Sequence, residues 1–167
     1  AVISVCDSMN YLTDEEDLEY VFALVNNYLD PGGLFIFDMN TVHKYRDVIG
    51  DTTIAEDRED GSFIWENSYD VENGLNVYEL ALFLPREDGL YEKCEEEHVQ
   101  RAYPLDVIKG MIEKAGMELV AVYDAYTRNP GDENSERLTF IVREHGKSAE
   151  NDYHGIIPER AEKKSEE

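Results

Sequence analysis

At 167 residues, with 42% apolar and 11% aromatic side chains, the chain is large enough to bury the core of one domain. Its 38 Asp and Glu outnumber 15 Lys and Arg, giving a net charge of -23 and a pI near 4.3. That balance argues against nucleic acid, heparin or an anionic membrane as partner, since such polyanions are bound by clustered cations, and leaves a small molecule or a protein.

Ala1-Val2-Ile3-Ser4-Val5-Cys6 reads as a strand apolar on both faces, the kind found inside a parallel sheet. It begins without Met or lead-in, so its sheet neighbours are expected upstream of this sequence. Cys6 and Cys94 lie far apart and form no CxxC pair, which fits a reducing cytoplasm. No basic n-region with a cleavage site opens the sequence, and no apolar run nears the roughly 18 residues that span a bilayer.

Asp7-Ser8-Met9-Asn10-Tyr11-Leu12 is a polar loop, and Thr13-Asp14-Glu15-Glu16 has the form of a capping box with Thr13 as N-cap and Glu16 at N3. Leu18, Val21, Phe22, Val25 and Leu29 then repeat at helical spacing, which predicts a helix over 14–30. The turn Asp30-Pro31-Gly32-Gly33 leads into an apolar strand over 34–39, completing a right-handed β-α-β unit. That strand carries Asp38 towards its carboxyl end, where open α/β sheets place their ligands.

From Asp51 to Arg101 the period changes to two, and Asp60-Gly61, Asn73-Gly74 and Asp88-Gly89 recur at hairpin spacing. Antiparallel strands are expected at 52–58, 62–71, 75–84 and 90–102. Pro104 is expected to open a helix as its N1 residue, with Leu105, Ile108, Met111, Ile112 and Ala115 on one face and Gly116 at C′. Strands at 117–126 and 137–144 follow, joined by the loop 127–136. This divides the chain into an α/β core at 1–50 and 103–145, an antiparallel insertion at 51–102, and a charged tail at 146–167. The tail is expected to be mostly mobile, with Ile156-Ile157-Pro158 as a short anchor.

Several constellations fail on their spacing. Glu56-Asp57-Arg58-Glu59-Asp60-Gly61 has a cation at a calcium-ligand position, and Asn67 stands where the bidentate Glu belongs. His43, His98, His145 and His154 show no paired metal spacing, and each reads as a surface or packed histidine, so no metal is expected. Cys94-Glu95-Glu96-Glu97-His98 reads as a solvated strand face.

Three sets of residues carry a family resemblance. Val5 to Leu12, followed by the helix and by Leu29 to Asp38, resembles the region from the fourth to the fifth strand of class I S-adenosylmethionine-dependent methyltransferases. Gln100-Arg101-Ala102-Tyr103-Pro104, the helix end Glu113-Lys114-Ala115-Gly116-Met117 and the closing Glu136 to Val142 resemble a bacterial small-molecule branch of that family, which carries an antiparallel insertion in the same place. The resemblance covers about residues 1–145. It implies an α/β fold that is the C-terminal half of a Rossmann-like methyltransferase sheet with an inserted antiparallel β-meander. The family's glycine-rich cofactor loop would precede Ala1, and no GxGxG occurs in the sequence.

The resemblance also implies roles. S-adenosylmethionine would be the cofactor of the intact protein, with Cys6 and Asp7 beside its methionine portion. Asn10 and Tyr11 would be the catalytic candidates on the acceptor side. Asn40, after Asp38, could line the same crevice, and Arg101 and Tyr103 could clamp an anionic acceptor. The competing readings are an ordinary loop for Asp7, Ser8 and Asn10, an Asx turn for Asp38 and Asn40, and a plain salt bridge for Arg101. Two functions follow: methyl transfer to a small molecule, or a non-catalytic acidic module that binds a protein or dimerises. Because the family's strand order leaves the strand at 2–6 without one neighbour, the resemblance also implies a homo-oligomer through that exposed edge, with the insertion sheet as a second contact.

Overall fold

The computed structural model describes residues 1–147; the expected anchor at 156–158 and most of the tail lie outside the described residues. The chain runs β1 (Val2–Ser4), α1 (Glu15–Tyr28), β2 (Leu34–Asn40), β3 (Thr53–Arg58), β4 (Gly61–Asp70), β5 (Leu75–Pro85), β6 (Tyr91–Arg101), α2 (Leu105–Lys114), β7 (Met117–Asp124) and β8 (Arg137–Glu144). A 3-10 turn at Ser8–Tyr11 precedes α1, and a wide π-type helix at Lys44–Ile49 follows β2.

These strands form two four-stranded sheets. One has the order β1-β2-β8-β7, with β1 parallel to β2 and the other pairs antiparallel; the other is the meander β3-β4-β5-β6. β1-α1-β2 is therefore the expected crossover unit. Phe35, Phe37 and Met39 alternate onto one face of β2, where Phe22 of α1 meets the rings of Phe35 and Phe37 at 6.2 and 5.4 Å and Phe37 stacks on Phe140 of β8 at 4.7 Å. Ile108, Met111 and Ile112 of α2 bury against the same face. A ring such as Phe37, with no exposed surface, contributes roughly 1.5–3 kcal/mol by leaving water. The opposite face carries Ile3, Ile36 and Ile141 in register across three strands.

Four local expectations are corrected. β1 ends at Ser4 rather than Cys6, because the chain turns left-handed at Cys6 and Asp7. Helix α1 is capped by Asp14, not Thr13, and without a side-chain cap bond; the Thr13 carbonyl is held by Arg101 Nη1 at 2.9 Å, and the Leu18 amide reaches the Asp14 carbonyl. Pro104, with ψ 145°, is the N-cap of α2 rather than its N1 residue. β7 stops at Asp124, with Tyr126 left-handed just beyond.

The helix end at Gly116 is as expected. Its φ is +77°, and a Cβ there would lie 2.7 Å from the Gly146 carbonyl oxygen, so a residue with a side chain is excluded on both counts. Asn26 of α1 donates to the carbonyls of Ala115 and Gly146, fastening the two helices to the end of the sheet. Among the described residues no helix is long and apolar enough to cross a membrane.

Candidate functional site

The site is built around the turn that leaves β1. Cys6 and Asp7 have φ of 61° and 51°, a conformation that costs non-glycine residues of order 1–3 kcal/mol each unless the surroundings impose it. Asp38 imposes it: its Oδ2 accepts the Cys6 amide at 3.1 Å and its Oδ1 the Asp7 amide at 2.6 Å. The carboxylate at the end of β2 is thus a brace for the neighbouring loop.

Arg137, the first residue of β8, closes the arrangement. Nη2 donates to Asp7 Oδ1 at 2.7 Å and Nη1 to Asp38 Oδ1 at 3.3 Å. Burial works against its charge, but the Asp7 and Asp38 carboxylates outweigh that and hold the guanidinium above its ordinary pKa. Gln100 Nε2 of β6 donates to the other Asp7 oxygen at 2.7 Å. From there a chain of bonds leads inward: Tyr45 Oη donates to Gln100 Oε1 at 2.6 Å, Asn40 Nδ2 to Tyr45 Oη at 2.9 Å, and Lys44 Nζ to Asn40 Oδ1 at 2.9 Å. Burial pushes the Tyr45 hydroxyl pKa up, while burial and then Arg137 push the Lys44 ammonium down. This network joins β1, β2, β8 and the meander at one point.

The residues singled out from sequence fall into four groups. Cys6 is exposed and Asp7 sits in the network just described, at the carboxyl ends of β1 and β2. Asn10 is fully buried and belongs to the main chain: Nδ2 donates to the carbonyls of Asn40 and Arg101, and Oδ1 accepts the Asn40 amide at 2.9 Å. Asn40 is buried with it. Arg101 and Tyr103 meet each other, with the guanidinium 5.0 Å from the ring centroid. Arg101 pairs with Glu15 at 3.1 Å and Tyr103 Oη donates to the Leu12 carbonyl at 2.5 Å, so the two clamp the lead-in to α1. Burial pushes the Tyr103 hydroxyl up to about 12.

Tyr11 reaches the aromatic side chains of the meander. Its hydroxyl lies 3.1 Å from that of Tyr78 and 2.8 Å from His98 Nδ1. Tyr78 stacks on His98 at 4.7 Å and lies 5.0 Å from Trp65, making an aromatic floor on the face of the meander that also bears Gln100. Burial and the Tyr11 bond push the Tyr78 hydroxyl pKa up. Sequence reasoning missed Gln100, Arg137, Tyr45, Tyr78 and His98 as site residues. Gln100 and His98 share one parity of β6 and Arg101 the other, a signal that becomes readable once Asp7 is known to meet Gln100.

No family model matches the chain. It is 31% identical over 140 residues to YqeM of Bacillus subtilis (strain 168) and 30% identical over 139 residues to a Geobacillus protein, both carrying methyltransferase as a provisional name. It covers 56% of each, so the chain spans about half the length of the curated relatives it matches. Among solved structures, an S-adenosylmethionine-dependent methyltransferase from Clostridium acetobutylicum superposes with a TM-score of 0.80 at 30% identity, over 86% of this chain and 57% of that one. The CcbJ methyltransferase of Streptomyces caelestis shares the fold at a TM-score of 0.72 and 16% identity, over 86% of this chain and 59% of that one. S-adenosylmethionine-bound CalS10 of Micromonospora echinaspora shares it at 0.63 and 13%, over 85% and 57%. In sequence and fold the chain is therefore similar to S-adenosylmethionine-dependent methyltransferases, and it spans about half the length of those it matches.

Proposed function

We propose that this chain forms the acceptor side of an S-adenosylmethionine-dependent methyltransferase that acts on a small molecule. The observation that carries the reading is the braced turn at Cys6 and Asp7, held by Asp38 and Arg137 at the carboxyl ends of parallel strands and joined through Tyr11 to the aromatic floor of the meander. Sequence identity to a methyltransferase of known structure supports it.

The residues present fit one edge of the cofactor. Cys6 is exposed on a turn whose conformation is already fixed, so this border is pre-organised and loses little freedom on binding. When bound, S-adenosylmethionine supplies a methyl group on a positively charged sulfur. The chain's own work is then positional. Asp38 and Arg137 hold the turn, Asn10 fixes the 3-10 segment against β2 and β6, and Tyr11 with Tyr78 and Trp65 meets the acceptor. Arg101 and Tyr103, offered as an acceptor clamp by the resemblance, serve the α1 entry in this reading. The two free thiols, Cys6 and Cys94, support a reducing cytoplasm as the setting.

Calorimetry with S-adenosylhomocysteine tests the proposal. The full-length protein is expected to bind it, and Asp38→Ala to weaken binding at least tenfold by releasing the turn. Absence of binding by the wild-type full-length protein overturns the reading.

A further inference from the structure

His98 lies on the meander, where neighbouring groups fix its protonation. Its Nε2 faces the Glu96 carboxylate at 3.2 Å, and an ionised carboxylate only accepts, so Nε2 carries the hydrogen. The lone pair of Nδ1 is thereby left for the Tyr11 hydroxyl at 2.8 Å. Tyr78 is placed to donate to Tyr11 at 3.1 Å, and Tyr11 remains 44% exposed. Gln100, two residues along the same face of β6, is bonded to Asp7, so the histidine stands about 7 Å along the strand from the residue that holds the cofactor-side turn. The Trp65 indole, 5.0 Å from the Tyr78 ring, keeps its nitrogen buried with no partner among the described residues.

We infer that Tyr11 and His98 form a proton relay that takes the proton from the methyl acceptor, so that the acceptor is a neutral amine or hydroxyl compound. The inference rests on the methyltransferase reading. The acceptor's nitrogen or oxygen forms a bond to the methyl carbon as the carbon–sulfur bond breaks, and the bonding pair stays on sulfur as a neutral thioether. The proton released from the acceptor passes to Tyr11 Oη, and the Tyr11 hydroxyl proton moves to His98 Nδ1. The positive charge that leaves the sulfonium thus reappears as an imidazolium, opposite Glu96. A carboxylate acceptor would need no such relay, whereas a neutral O–H or N–H group must lose its proton. The titratable groups that face His98 are Tyr11 from the 3-10 turn, Tyr78 from β5 and Glu96 from its own strand.

The full-length protein labelled with nitrogen-15 at histidine gives a readout independent of turnover. At neutral pH, long-range proton–nitrogen correlation should show His98 protonated at Nε2 and bare at Nδ1, with the Nδ1 resonance moving in Tyr11→Phe. A hydrogen on Nδ1 overturns the relay. In transfer of labelled methyl from S-adenosylmethionine to a small-molecule cell extract, His98→Gln should lower the rate about 100-fold and change the pH profile of the wild type. Tyr11→Phe should lose rate similarly while S-adenosylhomocysteine affinity stays within about threefold. A His98→Gln enzyme with the wild-type rate and pH profile overturns the relay and leaves the methyltransferase reading standing. Failure of the wild-type protein to bind S-adenosylhomocysteine overturns both.

Discussion

Asp38 concentrates more of the site's energetics than any residue that touches open solvent. It accepts two main-chain N–H bonds and pairs with Arg137, whose side chain is only 16% exposed. Hydrogen bonds to a charged group contribute about 1.5–3 kcal/mol, and the left-handed backbone at Cys6 and Asp7 loses its support with them. Asp38→Ala is therefore expected to destabilise the protein by about 3 kcal/mol in chemical denaturation, and a change under about 0.5 kcal/mol would show that the turn holds itself. The buried tyrosines set a limit at high pH. Tyr103 has its hydroxyl raised from 10.0 to about 12 and Tyr45 is raised in the same direction, both by burial. The folded state thus keeps its phenolic protons where the unfolded chain releases them. Stability should be intact below pH 10 and fall as pH rises from 10 to about 12. Tyrosinate absorbance should appear together with unfolding; smooth ionisation of all tyrosines in a folded protein would contradict this.

At the scale of elements, what was legible depended on how local the signal is. The β1-α1-β2 unit and the meander were readable because hydrophobic period and turn dipeptides are properties of short stretches: two hairpin turns contain Asn73-Gly74 and Asp88-Gly89 as expected, and the first falls one residue early, at Glu59-Asp60, with Gly61 already paired to Arg58. Register was not readable, because pairing is decided between distant strands. Nothing in Gln100-Arg101 says which of the two faces Asp7, and the quoted motif pointed to Arg101 where the geometry selects Gln100. The π-type helix at Lys44–Ile49 follows no apolar period and is placed by the buried Tyr45 and its bond to Gln100. Asn10 was recognised as special, but its partners are main-chain groups 30 and 91 residues away, which only the fold brings near. Where a local rule is strict, a single change tests it. Gly116→Ala places a side chain at φ +77° against the Gly146 carbonyl at the joint of α2 and β7, and is expected to cost about 1–3 kcal/mol. Thermal unfolding unchanged from wild type would mean that the joint relaxes.

On the scale of the whole molecule, four of the described strands lie at sheet edges, β1 and β7 of one sheet and β3 and β6 of the other, and they are not equally protected; β6 carries Glu92, Lys93, Glu95, Glu96 and Glu97. β3 has all six residues exposed but carries Glu56, Asp57 and Arg58, and charged edges resist pairing with another chain. β7 presents Glu118 and Asp124. β1 is short, uncharged along Val2–Ser4, and pairs only with β2 among the described residues. Ile3 of β1 and Val5 just after it are 66% and 49% exposed, and Ile3 continues into Ile36 and Ile141 as an apolar stripe across the sheet face that α1 and α2 do not cover. Covering one such side chain fully is worth roughly 1.5–3 kcal/mol. The 167-residue chain is therefore expected to self-associate through β1 with a second copy. Opposing this is the net charge of -23, which every added copy increases, so the product should be a dimer or small oligomer rather than an open stack. Because salt screens that repulsion within about 10 Å at 0.1 M, association should strengthen as ionic strength rises. Light scattering across a salt series, with hydrogen exchange at Ile3 and Val5, measures both effects. A monodisperse monomer at high protein concentration and high salt, with those amides exchanging freely, would show that the β1 edge stays solvated by water alone.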